Sequence, residues 1–463
     1  MNVESLKSEV CRYIDENAAM LVDTSHEIHS KPELAFQEKE AARLLTSRVE
    51  HSGLDVKRGA YGLSTAYESE FGSDGPNIAI LSEYDALPAI GHSCGHNIIA
   101  VMGLGASLAL SSLGDRLNGR IRYLGTPAEE KGGGKELMAQ EGAFDGVDAA
   151  MMVHPAGVDL ATMPSICVSE VRVTYHGKSS HASAMPHAGV NALDALVTGY
   201  QTLAQLRQHI RPTERIHGIF TETGDAPNIV PDRASGVFYV RAADAKDLAP
   251  LKARVQNCFE AGALSSGCEL DISWAKADYL DMNTNWPLAA AYQNNAETIG
   301  REFFPLDKMP AGSAGSTDMG NVSHRVPSIH PMITCAPRHV VIHNREFAQW
   351  AASDLGDKAC LDGAKAMAMT ALDYFADESL RKSAADEFAK TEQISRSAVE
   401  AAYDPNGDTD IGGCLCCIET SPKVTPFTTT SDLGSQLACY STPGDQQNWT
   451  GFKFGKKGFQ RAS

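Results

Sequence analysis

After the apolar run Ile78–Leu81 the chain reads Ser82-Glu-Tyr-Asp85-Ala-Leu-Pro, then Gly91-His-Ser-Cys94-Gly-His96-Asn. After Ile121–Leu124 it reads Gly125-Thr-Pro-Ala-Glu129-Glu130. After Met151–Val153 comes His154-Pro, and Ile342-His343-Asn adds one more imidazole late in the chain. Thiolate, imidazole and carboxylate are the donors that bind zinc or a similar divalent ion. The spacing Cys94-x-His96 lets both donors reach one ion or a close pair. Adjacent carboxylates at 129 and 130 repel each other and raise one pKa unless a cation sits between them. With a cation, one can ligate while its neighbour acts as a base on activated water. Two ions need about five or six such donors, which is the number gathered here.

Each fragment alone has a plain structural reading: a Cys-x-His in a loop, a Glu-Glu at a solvated helix start, a His before Pro. Their joint occurrence after three successive apolar runs is what argues for metal chemistry. Lys131-Gly-Gly-Gly-Lys135-Glu lacks the spacing of a phosphate loop. Its glycines read instead as permitting a tight backbone beside the paired carboxylates. His92, His324, His330 and His339 read as nearby or buried residues, not ligands. Of 11 cysteines, Cys94 alone is assigned chemistry. An odd number spread through a long chain argues against a disulfide framework and for a reducing, cytoplasmic setting. Cys414-Leu-Cys-Cys lacks standard metal-site spacing.

The elements that must hold these groups follow from the hydrophobic pattern. In the first ~165 residues, helical stripes alternate with buried strands, which implies an α/β domain with a mostly parallel sheet. Ligands in such sheets bind beyond the carboxyl ends of strands, where the fragments above fall. Residues 169–283 change pattern to β-α-β-β-α-β, a ferredoxin-like α+β domain inserted in the larger one. The reading is therefore a split catalytic domain, 1–168 and 284–390, an inserted lid domain, 169–283, and a poorly ordered tail, 391–463. The net charge of −18 across 463 residues excludes nucleic acid as an expected partner. No run is apolar enough for a membrane span, and the charged N-terminus does not read as a secretory signal.

Taken in order, His29-Ser-Lys-Pro-Glu-Leu-Ala-Phe-Gln-Glu, Glu83-Tyr-Asp-Ala-Leu-Pro, Gly91-His-Ser-Cys-Gly-His-Asn, Gly125-Thr-Pro-Ala-Glu-Glu, Gly177-Lys-Ser-Ser-His-Ala-Ser, Pro227-Asn-Ile-Val-Pro and Gly315-Ser-Thr-Asp-Met-Gly-Asn-Val resemble the M20 metallopeptidases. Within them the likeness is to the amidohydrolase branch and its β-alanyl-lysine dipeptidase type. It runs over about residues 10–390. The resemblance implies two divalent metal ions, Zn or else Mn or Co, held by Cys94, His96, Glu130, His154 and His343. It implies Glu129 as general base and then acid, with Asp85 orienting a ligand. The inserted domain would serve as lid and homodimer interface. Its His181 would polarise the scissile carbonyl, often in a neighbouring subunit's site, while Asn228 and Arg241 would hold substrate. The implied reaction is hydrolysis of the amide bond in a dipeptide or N-acyl amino acid with a free carboxylate. A catalytically silent relative that binds a small conjugate or a partner protein is the alternative. The sequence departs from many members in carrying Glu83 where they carry a ligand histidine.

Overall fold

The computed structural model describes residues 2–309 and 314–410. Twelve strands organise it: β1 (Lys57–Arg58), β2 (Tyr67–Gly72), β3 (Asn77–Ser82), β4 (Arg120–Gly125), β5 (Ala149–Met151), β6 (His154–Ala156), β7 (Cys167–His176), β8 (Arg215–Glu222), β9 (Arg233–Ala242), β10 (Glu269–Trp274), β11 (Ser328–Ile329) and β12 (Met332–Thr334). Six of them form one sheet in the order β1-β2-β4-β3-β5-β11. Its β4-β3-β5-β11 part is parallel, and β1 and β2 add antiparallel at one edge. A separate parallel pair, β12-β6, carries the chain past His154.

The sequence dictates this layering. Strand β3 reads Asn-Ile-Ala-Ile-Leu-Ser and is buried at every position, as a strand covered on both faces must be. The helix His96–Ser111 is buried at all but its last residue, and Gly103 and Gly105 let it lie close against its neighbours. A Cβ on Gly103 would come within 2.3 Å of the Ser82 hydroxyl. The Ala/Met-rich helix Asp354–Ala376 packs on it with the same close approach: a Cβ on Gly363 would meet the Met102 sulfur at 2.1 Å.

The second sheet is antiparallel, in the order β10-β7-β9-β8, with helices Ala192–Leu206 and Ala245–Ser266 covering one face. Its chain order is the β-α-β-β-α-β expected from the sequence. Strand β9 alternates buried and part-buried residues over most of its length, the pattern of a sheet with one face in a core. A distinct apolar core, with Tyr175, Phe238 and Phe259, belongs to this inserted domain, the expected lid.

The chain does not become irregular at residue 391. Helix Glu392–Ala402 buries Ser395, Ala398 and Ala402. Ala398 and Ala402 join the lid core, and the following turn hydrogen-bonds Asp404 and Asp408 to Lys276 and Trp274. The expected tail therefore starts too early. Its apolar stripe is made of alanines, which carry little hydrophobic signal yet pack closely on a facing helix. Residues 411–463, with Cys414, Cys416 and Cys417, lie outside the described residues.

Candidate metal centre

The residues expected as ligands follow the strand ends. Glu83 and Asp85 follow β3, Glu129 and Glu130 follow β4, and His154 opens β6 just beyond β5. Cys94 and His96 sit at the start of helix His96–Ser111, across Gly95, whose φ of +79° is left-handed. A Cβ on Gly95 would meet the Pro155 ring at 2.6 Å, so the Cys94 loop can approach His154 because glycine stands there. His343 also has a left-handed φ, 65°, and its N–H donates to the Ser93 carbonyl at 2.8 Å. That bond ties the late histidine to the early loop. His339, four residues before, is exposed.

These groups converge. Cys94, His96 and His154 present ligand atoms within 4.8 Å of one another, and so do Cys94, Glu130 and His343. The Cys94 sulfur is common to both sets: it lies 3.4 Å from His154 Nε2 and 3.1 Å from His343 Nε2. A thiolate with donors on two sides can join two ions, and thiolate, imidazole and carboxylate are the chemistry zinc takes. A third set, Glu83, His96 and Glu129, converges likewise, with Glu129 3.8 Å from His96 Nε2.

Hydrogen bonds orient the donors. His96 Nδ1 donates to Asp85 Oδ1 at 3.1 Å, which leaves Nε2 facing the cluster. His154 Nδ1 donates to the Pro155 carbonyl at 2.8 Å and likewise leaves Nε2 to the sulfur. Asp85 Oδ2 meanwhile accepts the Glu130 N–H at 2.9 Å, so one carboxylate aligns a histidine and a glutamate together. His330 lies edge-on to His154, centroids 5.6 Å apart, with Nδ1 on the Met152 carbonyl. Like His92 and His324 it is buried and outside both ligand sets.

The electrostatics call for cations. Glu83, Asp85, Glu129 and Glu130 are all buried around His96. On the protein's own charges, burial and the neighbouring Glu83 and Glu130 push the Glu129 carboxyl far above its usual range. Burial likewise raises Glu130 to about 7, and burial with Glu130 and Glu129 raises the Cys94 thiol far up. Burial and His330 depress His154 to about 3, so its imidazole is in the neutral, ligating form. His96 Nε2 and Glu83 Oε1, 3.4 Å apart, are buried without a hydrogen bond. Leaving such groups unpaired costs several kcal/mol, which a divalent ion among them offsets.

The sequence reading gave no role to Lys135 and Asp318, although both lie in motifs it quoted. Lys135 is fully buried and donates to Glu83 Oε2 at 2.6 Å and Asp318 Oδ1 at 2.7 Å. The ammonium overcomes burial and holds Glu83 at about 2, ionised at any working pH. The three glycines before it are required by contact. A Cβ on Gly132 would meet the Phe36 ring at 2.6 Å, and one on Gly134 the Pro127 carbonyl at 1.8 Å.

The residues expected to bind substrate fall at two places in the inserted domain. His181 and Asn228 are exposed at one end of the lid. Their segments pair through Ala182 N–H to Asn228 O, 3.0 Å, and Val230 N–H to Ser180 O, 3.0 Å. Arg241 is at the other end, where its Nη1 donates to the Ser316 hydroxyl of the catalytic domain at 3.2 Å. Strand β9 runs eight residues from Arg233, beside the His181 loop, to Arg241, roughly 26 Å of extended chain.

Residues 168–266 match the peptidase dimerisation domain model of the M20 peptidases. The chain is 40% identical over 400 residues to the Xaa-Arg dipeptidase of Mus musculus, covering 83% of this chain and 93% of that one. It belongs to the M20 family. The Homo sapiens Xaa-Arg dipeptidase is 38% identical over 404 residues, with 83% and 92% covered. In fold it resembles a solved Bacillus subtilis dinuclear metal-binding peptidase of the M20 family, with TM-score 0.58 and 18% identity, covering 77% of this chain and 98% of that one. This M20 protein is accordingly a metal-dependent amidohydrolase.

One consequence of the M20 site is measurable without substrate. Lys135→Met leaves Glu83 and Asp318 buried and unpaired, and unfolding in urea should show a loss of about 3–5 kcal/mol. A stability unchanged within about 1 kcal/mol would mean the three groups are not locked together.

Proposed function

We propose that this protein hydrolyses the amide bond of a dipeptide, or of an N-acyl amino acid, that carries a free carboxylate. The observation that carries this reading is the buried carboxylate of Glu129, beside two ligand sets that share Cys94 and outside both, its own candidate set being with Glu83 and His96. Cys94, His96 and His154 would hold one ion and Cys94, Glu130 and His343 the other, zinc best matching the thiolate. When bound, the ions supply a Lewis acid for the carbonyl and lower the pKa of water. Glu129 takes the proton of the attacking water and returns it to the leaving nitrogen. Asp85 keeps His96 and Glu130 in register.

Arg241 presents a guanidinium beside Ser316, and an Arg fork suits a carboxylate. The likeness to dipeptidases named for an Xaa-Arg substrate supports a dipeptide with a basic C-terminal residue. The span of the lid supports a homodimer in which His181 and Asn228 serve the neighbouring subunit's site, because strand β9 carries them away from Arg241. Among the described residues the cysteines are free thiols, which supports a reducing, cytoplasmic setting. No described helix is long and apolar enough to cross a membrane.

Glu129→Gln should retain metal yet lose at least about 100-fold in kcat on a dipeptide panel. Near-full turnover of that variant would contradict the base assignment, and bound metal without turnover in the unaltered protein would favour a silent binder. His181→Ala should be equally poor alone. An equimolar mixture of the two variants, refolded together, should recover about a quarter of full activity, because half the dimers then hold one complete site. No recovery would place His181 in its own subunit's site.

A further inference from the structure

Two peptide units of the turn that carries the carboxylate pair, 127–128 and 129–130, are held by buried side chains from elsewhere. The Ala128 N–H donates to Glu38 Oε1 at 2.8 Å. The Glu130 N–H donates to Asp85 Oδ2 at 2.9 Å. On that same 129–130 unit, the Glu129 carbonyl accepts the hydroxyl of Tyr279, whose oxygen in turn accepts the Gly133 N–H at 2.9 Å. Ala128 is held at φ 61°, a left-handed conformation that a residue with a Cβ resists. Such a turn persists where its surroundings over-determine it.

Tyr279 differs from the other two holders in where it stands. Its backbone pairs with Val168 through two N–H···O bonds of 2.9 Å, Tyr279 to Val168 and Val168 to Tyr279. These are the two points where the chain enters the lid and returns from it. The next residue, Leu280, already belongs to the lid core. The Tyr279 ring is buried, and it fits because position 133 is glycine. A Cβ there would lie 3.1 Å from the ring and 3.0 Å from the Ala277 methyl. The hydroxyl thus crosses from the lid boundary to the backbone of the residue that handles the proton.

We propose that Tyr279 is a positioning residue for Glu129. Its hydroxyl fixes the Glu129 peptide from the lid boundary, and so sets the direction in which the carboxylate points. It acts through the backbone. The proposal rests on the reading of Glu129 as the base, and it adds that lid placement and base orientation share one hydrogen bond. A misplacement of about 1 Å in a catalytic group costs roughly 100-fold in rate.

Tyr279→Phe keeps the ring and removes the hydroxyl. Its kcat per bound metal should fall about 10- to 100-fold while KM stays within about two-fold and the metal content is unchanged. A purely structural role would instead lower the metal-loaded fraction and leave kcat per loaded site intact. In a Glu129→Ala background the same substitution should change the residual rate by less than about two-fold, since the group it aims is gone. The proposal is overturned if Tyr279→Phe keeps kcat within about two-fold of the unaltered protein, or if its full loss persists in the Glu129→Ala background. Full turnover by Glu129→Ala alone would overturn the base assignment, and this proposal with it.

Discussion

Four carboxylates buried around one imidazole set the terms for the rest of this structure. Glu83, Asp85, Glu129 and Glu130 surround His96 with almost no water to screen them. In such a place like charges raise each other's pKa, and unpaired ones oppose folding. The chain answers with two devices. Lys135 neutralises Glu83 from behind, together with Asp318. The Cys94 thiol and three histidines then complete two sets of donors for divalent cations in front. The ends of β3, β4 and β5 each contribute to one device or the other, so their loops are tightly bound.

Holding repelling groups together requires a stiff backbone, and the loops show how it is obtained. The Glu129–Glu130 turn is pinned by Glu38, Tyr279 and Asp85. The glycines at 132 to 134 let Phe36, Tyr279 and the Pro127 carbonyl close in on it. The Cys94 loop is closed by Gly95 against Pro155 and by His343 against Ser93. Function and packing are therefore difficult to separate here: residues that look like loop composition are contact surfaces for the site. The lid follows a different logic. Its own core makes it an independent layer, and its long strands put Arg241 against one catalytic domain and His181 and Asn228 at the opposite end.

How much of this was legible in the sequence depended on distance along the chain. Cys94, His96, Glu129, Glu130 and His154 all lie in segments that follow apolar runs, so local pattern and strand-end logic singled them out together. His343 was found by likeness and position, and the Ser93 hydrogen bond explains why it, and not His339, reaches the site. Lys135, Asp318, Glu38 and Tyr279 escaped because their partners are remote. The Lys135 pair with Asp318 spans 183 residues and the Tyr279 bond to Glu129 spans 150. A lysine after three glycines carries no local sign that it is buried. The strand order of the inserted domain was readable from its alternation, whereas helix Glu392–Ala402 was not, since its buried stripe is serine and alanine. The roles of His181, Asn228 and Arg241 came from the family likeness alone.

The central claim is that Cys94 is the donor common to both ligand sets, and a count of bound metal tests it most directly. Zinc per chain is measured after reconstitution and gel filtration for Cys94→Ala, His154→Ala and His343→Ala. The account predicts that each histidine variant keeps about one ion while Cys94→Ala keeps about none. A Cys94→Ala protein that is folded and still holds two ions, or that loses just the one His154→Ala loses, would contradict it.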